Sequence, residues 1–271
     1  LGSAARWRAG FSGELMHHHI CRSADMARVA RLVSGHGRGL VLAGGGARGL
    51  AHLGALRALA EAGLQFDAVG GSSIGAIVGA GLAAGWNIDE WQSRCVNAFL
   101  RGRLLSDWTL PVVALTRGAR ATRTLRGTFG ALSIEDLPLP FFAIATSLSG
   151  GGQHVLRHGP LWLALRASSA IPGVLPPVLE RGEVLVDGAL ANNLPTDVMA
   201  ADGLAHITAL DIRAEITLRA GVDETFSPPW WRLLLDRGQR PGLVSSLVRA
   251  GMVSGEAAAL ERRAVAHRLV T

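Results

Sequence analysis

Between residues 38 and 212 the chain repeats one pattern. A short apolar run is followed by a glycine-rich or polar break, then by a longer stretch with apolar positions at helical spacing. Gly39-Leu40-Val41-Leu42-Ala43 has strand length, and residues 50–62 carry Leu53, Leu56 and Leu59 on one helix face before Gly63 ends it. Residues 68–71 predict a second strand, and residues 74–84, small and apolar, a second helix. A helix is expected over 87–100, and strands over 141–147 and 154–157 in a hairpin around Gly150-Gly151-Gly152. A helix over 161–167, a strand over 184–186, a helix over 196–201 and a last strand over 205–212 follow. Residues 101–126 read as a basic, less regular excursion, and residues 1–37 as irregular apart from a short helix over 25–33. Beyond residue 227 the chain is Pro/Trp-rich and then helical. Strands alternating with helices predict an α/β fold: a three-layer sandwich with a mostly parallel central sheet covered by helices on both faces. The expected organisation is an N-terminal extension over 1–37, a catalytic domain over 38–215 and a helical C-terminal extension over 216–271 packing on it.

Composition narrows the function classes. A chain of 271 residues with 49% hydrophobic content can bury a sizeable core. The formal charge is 27 − 21 = +6, and with no lysine every positive side chain other than histidine is arginine. A basic surface of this kind suits phosphate or an anionic membrane. No basic stripe interleaved with aromatics and no finger spacing is present, so a nucleic-acid partner is not expected. Cys21 and Cys95 lie far apart, outside any metal or redox motif, and read as free thiols in a reducing compartment. His17-His18-His19 cannot share one helix face and has no further ligand nearby, so no metal is expected there. The uncharged stretch over 68–88 is long enough for a membrane span, but its glycines and the turn inside it read as a buried strand plus a buried helix. With no leader pattern at the start, a cytoplasmic protein is expected, peripheral to a membrane at most. Oligomeric state is not legible.

The chemistry concentrates at two breaks in the pattern. At the first, Gly71-Ser72-Ser73-Ile74-Gly75 lies where the second strand gives way to the second helix. A serine on such a strained strand-to-helix turn is lifted above the sheet at a helix N-terminus, which makes Ser73 a candidate nucleophile. G-x-S-x-G alone is a weak pattern in a chain with 35 glycines, and the setting gives it weight. At the second break, Gly44-Gly45-Gly46-Ala47-Arg48-Gly49 follows the first strand and opens a helix. It fits the dinucleotide fingerprint, which would make the protein a nucleotide-binding oxidoreductase. That site wants an acid at the carboxyl end of the second strand, and Asp67 instead precedes that strand. The same exposed backbone N–H groups suit a developing oxyanion one βα unit from Ser73.

A serine nucleophile needs a base. The order Ser73, Asp187, then His206 or His267 matches the chain order of α/β-hydrolase triads. But His206 lies at an apolar strand and His267 in an amphipathic tail, and neither follows a strand. His52 reads as a structural group near the glycine loop, and His154 and His158 as surface residues. Asp187, at a strand end before Gly188, is better placed and can act as base directly if it lies within hydrogen-bond reach of the serine.

These motifs, in this order and spacing, resemble those of the patatin-like phospholipase family. The glycine loop, the Ser73 elbow and Asp187-Gly188-Ala189 match three of its blocks, and Ala167-Ser168-Ser169-Ala170-Ile171-Pro172-Gly173 looks like a fourth. Within the family the chain is similar to the catalytic domain of the neuropathy target esterase group and its bacterial relatives. The resemblance covers roughly residues 39–211 and implies a Ser73–Asp187 dyad with no catalytic histidine. It further implies an acyl-enzyme on Ser73 and an oxyanion hole from the amides of Gly44, Gly45, Gly46 and Arg48. The implied substrates are lysophospholipid or phospholipid esters, with no cofactor and no metal. Arg48 is expected near a phosphate headgroup, and the apolar residues over 172–178 near an acyl chain. A catalytically silent lipid-binding module with the same fold is the other reading.

Overall fold

The computed structural model describes residues 17–102, 104–212 and 256–270, with residues 4, 7, 10 and 11. Among the described residues eight strands form one sheet: β1 (Arg38–Leu42), β2 (Ala68–Ser72), β3 (Phe141–Ser147), β4 (Gln153–Leu156), β5 (Val178–Glu180), β6 (Glu183–Asp187), β7 (His206–Leu210) and β8 (Arg268–Val270). Hydrogen-bonded neighbours run β5-β6-β3-β2-β1-β7-β8, and β4 also pairs with β3. From β3 through β2, β1 and β7 to β8 the sheet is parallel; β4, β5 and β6 form its antiparallel side.

The strands face two cores. Leu40, Leu42, Val69, Phe141, Ala143, Ala145 and Leu210 point to one, and Val41, Ala68, Phe142, Ile144, Ile207 and Ala209 to the other. This alternation is the period of a strand, and both faces are apolar because helices cover both. The larger core takes α2 (Ala51–Glu61), α3 (Ile74–Ala83), α4 (Ile88–Cys95), α5 (Ala119–Phe129) and α6 (Leu161–Ser168). The smaller takes α7 (Thr196–Ala201), with Leu32 of α1 (Ser23–Val33) packed against it. A salt bridge anchors α1: Arg31 forks onto buried Asp67, with its Nη2 at 2.6 Å from Oδ1 and its Nε at 3.0 Å from Oδ2. The other end of the described chain adds α8 (Glu256–Val265), where Arg263 holds Asp211, and then the edge strand β8 beside β7. The sequence pattern predicts only helix in that tail. An unpaired β7 edge with a Leu269-Val270 pair beside it supplies the reason for a strand. No helix among the described residues is long and apolar enough to cross a membrane.

One register detail positions everything that follows. Ala143 and Ile144 of β3 pair with both β2 and β4, and Ala145 and Thr146 pair with both β4 and β6. A strand has two edges, so β4 occupies one and β2 and β6 share the other. Ser72 sits opposite Ile144 and Asp187 opposite Ala145, adjacent positions on β3. The carboxyl ends of β2 and β6 therefore abut.

The excursion over 101–126 contains more order than its composition suggests. Its second half opens α5, whose Ala121, Leu125 and Phe129 recur every four residues and are buried. Glycine and threonine among its arginines mask that stripe in the sequence. Phe129 stacks on Trp86 at 5.3 Å and meets the edge of Trp91 at 5.6 Å. Trp91 in turn donates to Val78 O at 2.9 Å, tying the cluster to α3. Phe129→Ala is expected to cost about 3–5 kcal/mol, because the rigid trio cannot collapse into the space left. Urea unfolding monitored by circular dichroism measures this, and a loss below about 1 kcal/mol would contradict the packing account.

Candidate active site

The Ser73 turn is a strained element. Ser73 has φ 53° and ψ −124°, a conformation that costs a non-glycine residue about 1–3 kcal/mol. The surroundings enforce it. Its amide donates to Ser168 Oγ at 2.9 Å, and its carbonyl accepts the first α3 bond from Ile77 N at 3.2 Å. Gly75 is required by close approach: a Cβ there would lie 2.5 Å from Ala43 O. The helix can thus start directly against the end of β1, with the Ser73 hydroxyl at its positive end.

Opposite stands Asp187. Ser73 Oγ donates to Asp187 Oδ2 at 2.7 Å, and Ala189 N donates to Oδ1 at 2.9 Å. The backbone of Asp187 is clamped as well, its N–H donating to Ala170 O at 2.9 Å and its carbonyl accepting from Thr146 Oγ1 at 2.8 Å. Thr146 Oγ1 also accepts from Ala191 N at 3.1 Å, shaping the turn after the strand. Ser168, Thr146 and Asn193 are the residues that sequence reasoning did not single out. Ser168 lay in a recognised motif without a role, and nothing in a strand's threonine signals a turn it will cap.

The glycine loop lies over the same point. A Cβ on Gly44 would sit 3.2 Å from Ser73 Cβ and 2.6 Å from Asn193 Oδ1. Asn193 binds the loop twice, accepting from Gly44 N at 3.2 Å through its carbonyl and donating from Nδ2 to Gly44 O at 3.3 Å. Gly46, at φ 58°, uses the left-handed region open to glycine, and Arg48 N closes the turn onto Gly45 O at 3.3 Å. The four amides singled out in the sequence therefore divide. Those of Gly44 and Arg48 are engaged within the protein, and those of Gly45 and Gly46 donate to nothing among the described residues. The loop opens a short 3₁₀ turn, Gly46–Leu50, that leads into α2.

The other polar candidates lie elsewhere. His206 starts β7 opposite Arg38, at the far end of the parallel strands from Ser73, and its ring meets His267 at 5.7 Å. His52 is fully buried and donates from Nε2 to Ala43 O at 2.8 Å; burial lowers its pKa, holding it neutral. Asp67 caps the amino end of β1, accepting from Arg38 N at 3.0 Å as well as from Arg31, with nothing left over for a ribose at the opposite end. His19 Nε2 bonds to Asp136 O at 2.9 Å, and among the described residues no three His, Cys, Asp or Glu side chains are grouped to hold a metal. Cys21 is exposed; Cys95 is buried, with its thiol pushed up to about 12.

Electrostatics follow from burial. Enclosure raises the Asp187 carboxyl from the ordinary 3.8 to about 6, while the bonds from Ala189 and Ser73 pull it down. A carboxyl raised in the folded state contributes stability present below its unfolded value and lost as pH rises through its folded value. The window is therefore pH 4 to 6, and a rise of about two pH units corresponds to about 3 kcal/mol. The stability of Asp187→Asn relative to the parent protein is expected to improve by about that amount between pH 3.5 and pH 8. Chemical denaturation of both proteins at the two pH values measures it; a difference that does not change with pH would mean that Asp187 is not held above the ordinary range.

Comparison with known proteins gives this geometry its context. The family model described as patatin-like phospholipase matches residues 40–200. An uncharacterized NTE family protein of Mycobacterium tuberculosis is 42% identical over 196 residues, 72% of this chain and 34% of that protein. Neuropathy target esterase of Drosophila melanogaster is 40% identical over 201 residues, 71% of this chain and 14% of that one. A lysophospholipase of Mycosarcoma maydis is 39% identical over 229 residues, 80% of this chain and 12% of its own. The chain thus spans about a third or less of the length of these curated relatives. Among solved structures, VipD of Legionella pneumophila matches with a TM-score of 0.52 at 15% identity, over 65% of this chain and 49% of that one, a likeness of fold. The model match covers more than half of the chain and includes the Ser73 turn, the glycine loop and Asp187, so the chain belongs to the patatin-like phospholipase family.

Proposed function

We propose that the protein hydrolyses carboxylic esters of lysophospholipids or phospholipids with a Ser73–Asp187 dyad. The observation that carries this reading is the 2.7 Å bond between Ser73 Oγ and a buried carboxylate that no histidine shares. Lysophospholipase and neuropathy target esterase among the relatives support the substrate class.

In the proposed reaction Ser73 Oγ attacks the ester carbonyl carbon as Asp187 Oδ2 takes the hydroxyl proton. The amides of Gly45 and Gly46 receive the oxyanion, since of the four loop amides singled out in the sequence these two donate to nothing among the described residues. The tetrahedral species collapses as the proton passes from Asp187 to the leaving alkoxide, leaving an acyl ester on Ser73. Asp187 then takes a proton from water, hydroxide attacks the acyl carbon, and the proton returns to Ser73 Oγ as the fatty acid leaves. A carboxylate titrating at about 6 is a stronger base than an ordinary one, and the positive end of α3 favours the developing serine alkoxide. Ala189 N holds the second carboxylate oxygen, so Asp187 presents one oxygen to the reaction.

Four expected outcomes test the proposal. Ser73→Ala removes turnover of a short p-nitrophenyl ester and labelling by a fluorophosphonate, and mass mapping of the labelled parent places the adduct on Ser73. Asp187→Asn lowers kcat by about 10²- to 10⁴-fold in protein that still folds. The kcat/KM profile rises through about pH 6 as Asp187 ionises and then stays level, since no second titrating group is required. His206→Ala and His267→Ala retain most of the activity. Turnover surviving Ser73→Ala, or lost in folded His206→Ala, would reject the dyad.

A further inference from the structure

A loop beside the site is built against the usual logic of a surface. Leu110, Val112 and Val113 are 82%, 88% and 66% exposed and with Pro111 form an unbroken apolar tip, and Trp108, two residues before it, is 66% exposed. Four consecutive apolar residues in solvent are an error unless they meet something. The tip is held out by a stiff base. Trp108 and Thr116 form an antiparallel bridge, Thr109 N donates to Leu115 O at 3.1 Å, and Arg117 N donates to Asp107 O at 2.9 Å. Below it Ala114 and Thr116 are buried, and Thr116 Oγ1 donates to Val174 O at 2.7 Å. Leu115 N donates to Gly173 O at 2.8 Å. Gly173 and Val174 continue the segment whose Ser168 and Ala170 bond Ser73 and Asp187, so the loop stands on the same stretch of chain that holds the dyad.

Charge says what the tip meets. Residues 101–126 contain six arginines and one acid, Asp107, so 6 − 1 = +5 of the chain's +6 lies there. Asp107 is occupied in capping α5, accepting from Arg120 N at 3.1 Å. Arg117, Arg120 and Arg123 are exposed and form no ion pair among the described residues. An apolar tip beside exposed arginines fits a lipid surface, where the side chains enter the headgroup layer and the guanidinium groups meet phosphate.

We propose that the loop over residues 107–117 docks the protein on an anionic bilayer, with Trp108, Leu110, Val112 and Val113 inserting and Arg117, Arg120 and Arg123 binding lipid phosphate. The inference rests on the reading of the dyad as a lipid hydrolase, since it sets that dyad beside the surface holding its substrate.

The test is cosedimentation of the full chain with vesicles of phosphatidylcholine mixed with phosphatidylglycerol, against phosphatidylcholine alone. Binding is expected to the mixed vesicles, to fall as salt is raised, and to weaken about tenfold or more in Leu110→Asp/Val112→Asp and in Arg120→Glu/Arg123→Glu. Both variants should keep the parent Tm and its turnover of a soluble short-chain ester. Failure of the parent to bind, or equal binding by the variants, overturns the proposal. A variant that loses thermal stability with binding unchanged would show the loop covered by the chain itself. A variant that converts a dimer to a monomer, with no vesicle binding in the parent, would assign the loop to a second copy. Ser73→Ala should bind vesicles as the parent does. Vesicle binding by a parent that turns over no ester would reject the hydrolase reading and leave the docking surface standing.

Discussion

Two strand ends meeting on one edge of β3 are what the rest of the site depends on. Ser72 and Asp187 occupy adjacent pairing positions there, and the 2.7 Å bond from Ser73 to Asp187 is the consequence of that register. A slip of one residue in either pairing would turn the side chains to opposite faces of the sheet. β4 stabilises the arrangement by occupying the other edge of β3, which leaves β2 and β6 a single shared edge. The change from parallel to antiparallel pairing at β3 is thus what lets two carboxyl ends approach head to head. In a purely parallel sheet they would lie side by side.

Around that junction, strain and burial are imposed by neighbours. The Ser73 backbone is held by Ser168 and by the lack of a side chain on Gly75, and the Asp187 backbone by Thr146 and Ala170. Burying the carboxylate costs stability at neutral pH and raises its basicity, and the two effects have one cause. On the proposed mechanism this is how a carboxylate serves where a histidine is more familiar. Asn193 adds a second coupling: it follows Asp187 on the same turn and binds Gly44 through both its backbone and its side chain. The glycine loop and the carboxylate are therefore positioned by one short segment, residues 187–193.

Much of this was legible from residue types. Alternating strands and helices, the strained serine turn, the glycine loop and an aspartate at a strand end are local patterns, each with a local physical reason. The helix over 119–129 was not, because its buried stripe of Ala121, Leu125 and Phe129 is interleaved with arginine, threonine and glycine. Its apolar face becomes evident only against Trp86 and Trp91. The mostly parallel sheet and the antiparallel β3–β4 hairpin are legible in the pattern; that β5 and β6 also pair antiparallel is not, since no single strand's pattern states the direction of its neighbour.

The turn at Ser73, the turn at Gly46 and the end of a strand at Asp187 follow from local sequence, because these depend on which backbone angles and side chains a few neighbouring residues allow. Tertiary structure decided which groups meet. Ser73 and Asp187 are 114 residues apart and touch only because both strands pair with β3. That the Gly44 amide is engaged was decided in the same way, by where Asn193 lands. A hydrogen bond commits one donor to one acceptor, and which pair forms is a matter of distance in the fold rather than distance along the chain.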